Sequence, residues 1–294
     1  MATLARFVGG DGPCTVAVVI TETTGRPFGH PYFAALLQEY NSALAEKSVV
    51  PVFLTPEDSH AEELVKTFLL SGKVDGVILI SLKTDSYLPR HLIDRGIPVV
   101  IQGRPPEGVE ASFVDVDNRQ AGALATGHLI AEGRRRIAAI AGDLEMPSSL
   151  DRMLGYRDSL AAAGMPFDPT YVEVGKYQAD LAYVAMERLL LSHPDLDGVF
   201  AASDLMAEAA LRVLLQANRR IPEDVAVIGL DDLPMAWASS PPLSSVRQPI
   251  EKMTREAVNL VLGQILDAGQ EPLGVVLAAE LVTRESTIGA GDYN

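Results

Sequence analysis

Short apolar runs alternate with amphipathic stretches along almost the whole chain. "TVAVVI" (15–20), "VVPVFLT" (49–55), "DGVILIS" (75–81) and "IPVVIQG" (97–103) are nearly unbroken apolar runs bounded by turn residues. Runs of that length separated by helices predict parallel strands buried on both faces of a sheet. Between them, apolar spacing predicts a helix over about 32–46 and another in "SHAEELVKTFLLSG" (59–72). In the latter, Ser59 and Glu62 stand at capping-box spacing and Gly72 offers a stop.

The pattern then restarts. "RIAAIAG" (136–142), "YVEVG" (171–175), "DGVFAAS" (197–203) and "DVAVIGL" (224–230) predict strands, with helices at about 117–132, 149–163, 178–192 and 204–218. "VDGVILIS" (74–81) and "LDGVFAAS" (196–203) are near twins, and each is followed, one helix later, by a second apolar run, "IPVVIQG" and "IPEDVAVIGL". Two phrases in one order, about 120–125 residues apart, predict a duplicated α/β unit. After Leu230 the order breaks: "PPLSSVRQP" (241–249) reads as loop and strand, followed by a helix at about 250–267 and a strand or two between Pro272 and Ile288. A helix returning after two complete lobes predicts that the chain crosses back between them.

Length and composition agree with two domains: 294 residues, 48% hydrophobic and 6% aromatic, describe a globular protein. No apolar run reaches the ~18 residues of a membrane helix, and "MATLARFVGG" lacks a secretory pattern, so the expected compartment is the cytoplasm. Cys14 stands alone, which leaves no intrachain disulfide. The net charge of −15 repels phosphate backbones and argues against nucleic-acid binding by these residues.

In open parallel sheets ligands gather at the carboxyl ends of strands. That rule selects Thr21 to Tyr32, Ser81 and Gln102-Gly103-Arg104 in the first lobe, and Asp117, Arg152, Tyr177, Ser203, Asp204 and Asp231 in the second. Carboxylates accept from hydroxyls, a guanidinium donates paired bonds, and a ring stacks on a sugar's C–H face, so this set suits a neutral polyhydroxylated ligand. Several of these residues have structural readings as well. Ser203 or Asp204 fits an N-cap, one of Asp231 and Asp232 fits a turn, and Arg152 fits a solvated helix charge. The basic run "GRRRI" (133–137) is expected to satisfy the last carbonyls of the preceding helix. Enzyme signatures are missing: the five histidines form no His-x-x-x-His pair, there is no Gly-x-Ser-x-Gly elbow, and "VGGDGP" (8–13) precedes the first strand. Neither a metal nor a cofactor is expected.

Five blocks carry a family resemblance: "VDVDNRQAGALATGHLIAEGRRRIAAIAG" (114–142), "DRMLGYRDSLAAAG" (151–164), "VFAASDLMAEAALRVL" (199–214), "IPEDVAVIGLDDLPMA" (221–236) and "PPLSSVRQP" (241–249). In this order and spacing they resemble the effector-binding core of the LacI/GalR family of bacterial transcription regulators. The resemblance implies the periplasmic-binding-protein type I fold, two Rossmann-like lobes with parallel sheets joined by three crossovers. The implied boundaries are 1–14 as linker or hinge remnant, 15–113 with 248–273 as N-terminal lobe, and 114–247 with 274–290 as C-terminal lobe.

It also implies a non-enzymatic homodimer that binds a small molecule, commonly a sugar, in the interlobe cleft, and thereby changes operator affinity. Operator DNA would be read only through an N-terminal helix-turn-helix, and "LARFVGG" (4–10) resembles the end of the hinge that follows such a module. Carried over onto this sequence, the ligand contacts are Arg152, Asp231, Ser203 and Asp117, with Tyr177, Arg104 and Tyr32 beside them. Ser203 replaces a common Asn, Gly103 replaces an Asp with Arg104 next to it, and His30 in "GHPYF" (29–33) replaces Asn. The alternative is the sugar-binding protein of an ABC transporter, which shares the fold.

Overall fold

The computed structural model describes residues 13–21, 30–56 and 58–289. The hinge-like "LARFVGG" and the loop "TGRPFG" (24–29) lie outside the described residues. The chain divides into two compact units, one running to Val116 and taking in Pro249–Leu277, the other comprising Asp117–Gln248 and the chain from Ala278 onward.

The first unit runs β1 (Thr15–Ile20), α1 (Pro31–Glu46), β2 (Val50–Leu54), α2 (Ser59–Leu69), β3 (Gly76–Ile80), α3 (Leu88–Ile93), β4 (Val99–Gln102) and β5 (Ser112–Val116). The second runs α4 (Asn118–Ala131), β6 (Ile137–Ala141), α5 (Pro147–Ala162), β7 (Val172–Val174), α6 (Ala179–Ser192), β8 (Gly198–Ala201), α7 (Asp204–Gln216), β9 (Ala226–Asp231), α8 (Pro234–Ala238) and β10 (Ser244–Arg247). The chain then returns to the first unit as α9 (Ile250–Leu266) and β11 (Gly274–Leu277), and ends in the second with β12 (Glu280–Val282) and α10 (Glu285–Ile288).

Each unit holds a six-stranded sheet. The orders are β11-β5-β4-β3-β1-β2 and β12-β10-β9-β8-β6-β7, so one topology is used twice in the same chain order. The pairings are parallel except β10 with β12, which is antiparallel. This is the doubly wound, two-lobed α/β architecture that the repeated phrases predict, and the chain passes between the lobes three times.

The apolar runs become strands because they can be covered on both faces. Every residue of β3, β6, β8 and β9 is buried. Burying each Val, Ile or Leu there contributes roughly 1.5–3 kcal/mol. The edge strand β2 stays half-exposed, with Val50 in solvent.

Four local differences from the sequence reading have physical causes. The N-cap of α2 is Asp58, not Ser59: the Asp58 carboxylate accepts from the Ala61 N–H at 2.8 Å, and a charged acceptor suits a helix N-terminus. Residues 274–277 pair in parallel with β5, so β11 belongs to the first unit although the sequence boundary ended that lobe at 273. β5 itself alternates buried and half-buried positions, unlike the continuous apolar runs, and it remains wholly in the first unit. The segment after Pro272 ends in a short helix, α10, beyond its two strands. In the basic run, Arg135 does reach the Ile130 carbonyl of α4, at 3.5 Å, while Arg136 pairs with Asp195 and Asp197.

The closest helix packing in the second unit lies between α4 and α5, which touch backbone to backbone. A Cβ on Gly122 would sit 2.1 Å from the Arg152 carbonyl oxygen, and one on Gly155 would sit 2.0 Å from the Arg119 carbonyl oxygen. Only glycine at both positions allows this approach, and it fixes the backbone from which the Arg152 side chain departs.

Candidate functional site

The carboxyl ends of β6, β8 and β9 in the second unit gather the polar residues. Arg152 stands near the start of α5, yet it is only 5% exposed. Its Nε donates to the Asn118 Oδ1 at 2.9 Å and its Nη1 to the Ala202 carbonyl at 2.7 Å. The guanidinium carbon lies 5.8 Å from the centre of the Tyr177 ring. That distance is within cation–π range. Two directed bonds and a ring fix both the plane and the position of the charge.

Tyr177 is placed by its backbone. It follows β7 with φ +58°, a left-handed conformation uncommon for a residue with a side chain. Its ring lies against the backbone of Gly142, just after β6, where a Cβ would approach the ring to 2.1 Å. Gly142 is therefore the floor on which the ring rests.

Asp231 closes β9 with φ +121° and is 5% exposed. Its Oδ1 accepts from the Gln248 Nε2 at 2.6 Å, and its carboxylate also accepts from the Asp204 backbone N–H at the start of α7. Burial pushes its carboxyl up to about 6, against the opposing pull of the Arg152 charge and these hydrogen bonds. At neutral pH the group is an ionised acceptor, balanced by a guanidinium in the same unit.

The neighbouring acids are committed to the fold. Asp204 is fully buried, accepting from the Ser245 hydroxyl at 2.6 Å and the Leu233 N–H at 2.7 Å. Burial, with the Asp231 charge beside it, raises its carboxyl well above the usual range. Gly229 makes room for it, since a Cβ there would come 2.4 Å from the Asp204 Oδ1. Asp232, the second of the "DD" pair, is held by Arg247 at 2.7 Å and Arg284 at 2.6 Å, and its N–H donates to Ser245. Of the two aspartates, Asp232 is the one tied down by two arginines.

The remaining predicted contacts are spread more widely. Ser203 is buried and caps α7, accepting from the Met206 N–H at 3.3 Å, next to the Ala202 carbonyl that receives Arg152. Asp117 is exposed and caps α4, accepting from the Gln120 N–H at 2.8 Å, next to the Asn118 that also receives Arg152. Arg104 and Tyr32 belong to the first unit: Arg104 is exposed two residues beyond β4. Tyr32 lies in the first turn of α1, edge-on to Phe33, behind a His30 N-cap.

The structure thus brings together Arg152, Tyr177 and Asp231, with Ser203 and Asp117 adjacent through neighbouring residues. Asn118 and Gln248, buried amides bonded to the two charges, were not singled out in the sequence. Their signal was weak, each being one amide inside a block read for its neighbours. Among the described residues no group of three or more His, Cys, Asp or Glu side chains is arranged to hold a metal ion. No helix there is long and apolar enough to cross a membrane.

Comparison with known proteins gives this geometry a family. Residues 126–287 match the periplasmic binding protein-like domain. The chain is 44% identical over 275 residues to the HTH-type transcriptional regulator CelR of Thermobifida fusca, covering 92% of this chain and 81% of that protein. It is 28% identical to the ribose operon repressor of Escherichia coli, covering 96% and 85% respectively. Among solved structures, a CelR–cellobiose complex superposes with a TM-score of 0.88 at 44% identity, covering 92% of this chain and 84% of that one. The transcription regulator CcpA of Lactococcus lactis superposes at 0.83 and 27% identity, covering 94% and 100%. With a family match over more than half its length and a close relative along nearly all of it, the chain belongs to the LacI family of transcriptional regulators, as their effector-binding core.

Proposed function

We propose that this core senses a small carbohydrate, gripped by Arg152 and Asp231 with the Tyr177 ring as a stacking surface, and acts by binding without chemistry. The observation that carries the reading is a pair of buried, opposite charges in the second unit, each held by its own hydrogen bonds. A guanidinium and a carboxylate held in this way donate to and accept from adjacent hydroxyls at a lower ordering cost than mobile side chains would pay. The 44% identical relative has been solved with cellobiose, which supports a β-linked disaccharide as the first sugar to test. Ser203 and Asp117 complete the proposed contacts of the second unit.

The partners are part of the same reading. Operator DNA is bound through the helix-turn-helix module for which the relatives are named, and sugar occupancy changes that affinity by its preference for one state of the core. The active form is a cytoplasmic homodimer. In support, the second unit exposes Leu181 and Val184 on α6, Leu215 on α7 and Trp237 on α8, apolar side chains that a second copy could cover.

A thermal-shift screen against cellobiose and other mono- and disaccharides tests the sugar. A ligand at 100 times its dissociation constant stabilises by about 2.7 kcal/mol. Arg152→Ala and Asp231→Ala should each abolish that shift. A parental response in both variants would overturn the site.

A further inference from the structure

The two charges are each bonded to a residue at the edge of a chain crossing. The chain leaves the first unit after Val116, and Asn118, two residues on, receives the Arg152 Nε. The chain leaves the second unit after Gln248, and Gln248 is the residue that donates to Asp231. Both amides are buried, at 3% and 4% exposure, and buried amides need their bonds satisfied.

The connections are short and stiff. Asn118 is the first residue of α4, whose backbone is locked to that of α5 at Gly122 and Gly155, so Arg152 and Asn118 sit on one rigid helix pair. Gln248 directly follows Arg247, which is paired with Asp231 across β10 and β9. The third crossing is different. There the Ala279 N–H donates to the Gln120 Oε1 at 3.3 Å, and neither charge takes part in that bond.

We propose that Asn118 and Gln248 are positioning residues that transmit ligand occupancy, Asn118 from Arg152 into the first crossing and Gln248 from Asp231 into the second. The proposal rests on the sugar-binding reading of the same site. A ligand that draws either charge toward itself must carry its amide along or break a buried, charge-assisted bond. Either way the backbone at that crossing responds. Two separate wires give two separate responses, which a general loosening of the fold would not.

Hydrogen exchange on the full chain, with and without saturating cellobiose or whichever panel sugar raises its melting temperature, reads each crossing by itself. The parent should show amide protection rising about tenfold at residues 117–121 and 248–252 when sugar binds. Gln248→Leu should lose that change at 248–252 and keep it at 117–121. Asn118→Ala should do the reverse. Asn118→Asp keeps an acceptor for the Arg152 Nε and should retain both changes, which covers the case in which the alanine variant folds poorly. The inference is overturned if sugar raises the melting temperature while the crossings do not respond in the parent, or if each variant alters both crossings or neither. If no sugar raises the melting temperature of the parent, the sugar reading itself fails and the inference goes with it.

Discussion

Gly103 in the first unit and Asp231 in the second occupy the same place in two copies of one topology. Val16 pairs with Gly76 as Ile137 pairs with Gly198, and Val77 pairs with Val99 as Val199 pairs with Val227. Four residues beyond Val99 and Val227 come Gly103 and Asp231, with φ +116° and +121°. The backbone after the fourth strand makes the same left-handed turn in both units. In the first it is made by the residue that adopts it freely; in the second it is imposed on an aspartate. Strain of that kind costs on the order of 1–3 kcal/mol and persists where the surroundings over-determine it. The comparison teaches that a carboxylate is kept in the second unit against the backbone's preference, in a buried place that also raises its pKa. The helix pairs differ in the same sense. α4 and α5 meet through glycines beneath Arg152, whereas α1 and α9 of the first unit are linked by the exposed Arg255–Glu46 pair.

The sharpest break of this comparison is Gly155→Ala. Its Cβ would meet a main-chain oxygen that no rotamer change can move, so the expected loss is about 3 kcal/mol or more, read by chemical denaturation. A smaller loss would mean that the helix pair yields, and that Arg152 is not rigidly seated.

The next effect is in pH. The Asp231 carboxyl is raised to about 6 in the folded chain, against ~3.9 for a free side chain. The folded state therefore holds the proton more tightly. This group's contribution is complete below pH ~4 and is lost as pH rises through about 6. Buried Asp204, also raised, acts in the same direction. Sugar affinity should move oppositely, weakening below pH 6 as the acceptor is protonated. Asp231→Asn should flatten part of the stability profile between pH 4 and 7, while the first unit, with Gly103 in that place, offers no counterpart. An unchanged profile would remove Asp231 as its source.

Smaller effects calibrate the first unit. A Cβ on Gly103 would meet nothing within 4 Å, so Gly103→Ala isolates the backbone strain, expected at about 1–2 kcal/mol. Arg255→Ala should leave the melting temperature at the parental value, because the pair with Glu46 is solvent-exposed.

Much of this was legible in the chain itself. The twin phrases around Gly76 and Gly198 announced the duplication, since a buried parallel strand needs an unbroken apolar run. Asp231 and Arg152 stood out as charges at strand ends and were carried over by the family blocks. The conformation was not legible: nothing in "GLDDL" says that two consecutive aspartates take positive φ, or that only the second is neutralised by two arginines. The sequence offered Ser203 or Asp204 as an N-cap, a choice the structure settles as Ser203, but it gave no sign that Asp117 would cap α4, because capping and ligand binding use the same oxygens. The Asn118 and Gln248 bonds join residues 34 and 17 positions away, contacts that only tertiary structure creates.

The most direct test gives the second unit the first unit's residue. Asp231→Gly removes the strain and a buried carboxylate whose pKa stands above its ordinary value even with Arg152 beside it. The account predicts a protein that shows no thermal shift with the sugar that stabilises the parent. A variant that still responds to that sugar would contradict it, because the carboxylate would then not be what grips the ligand.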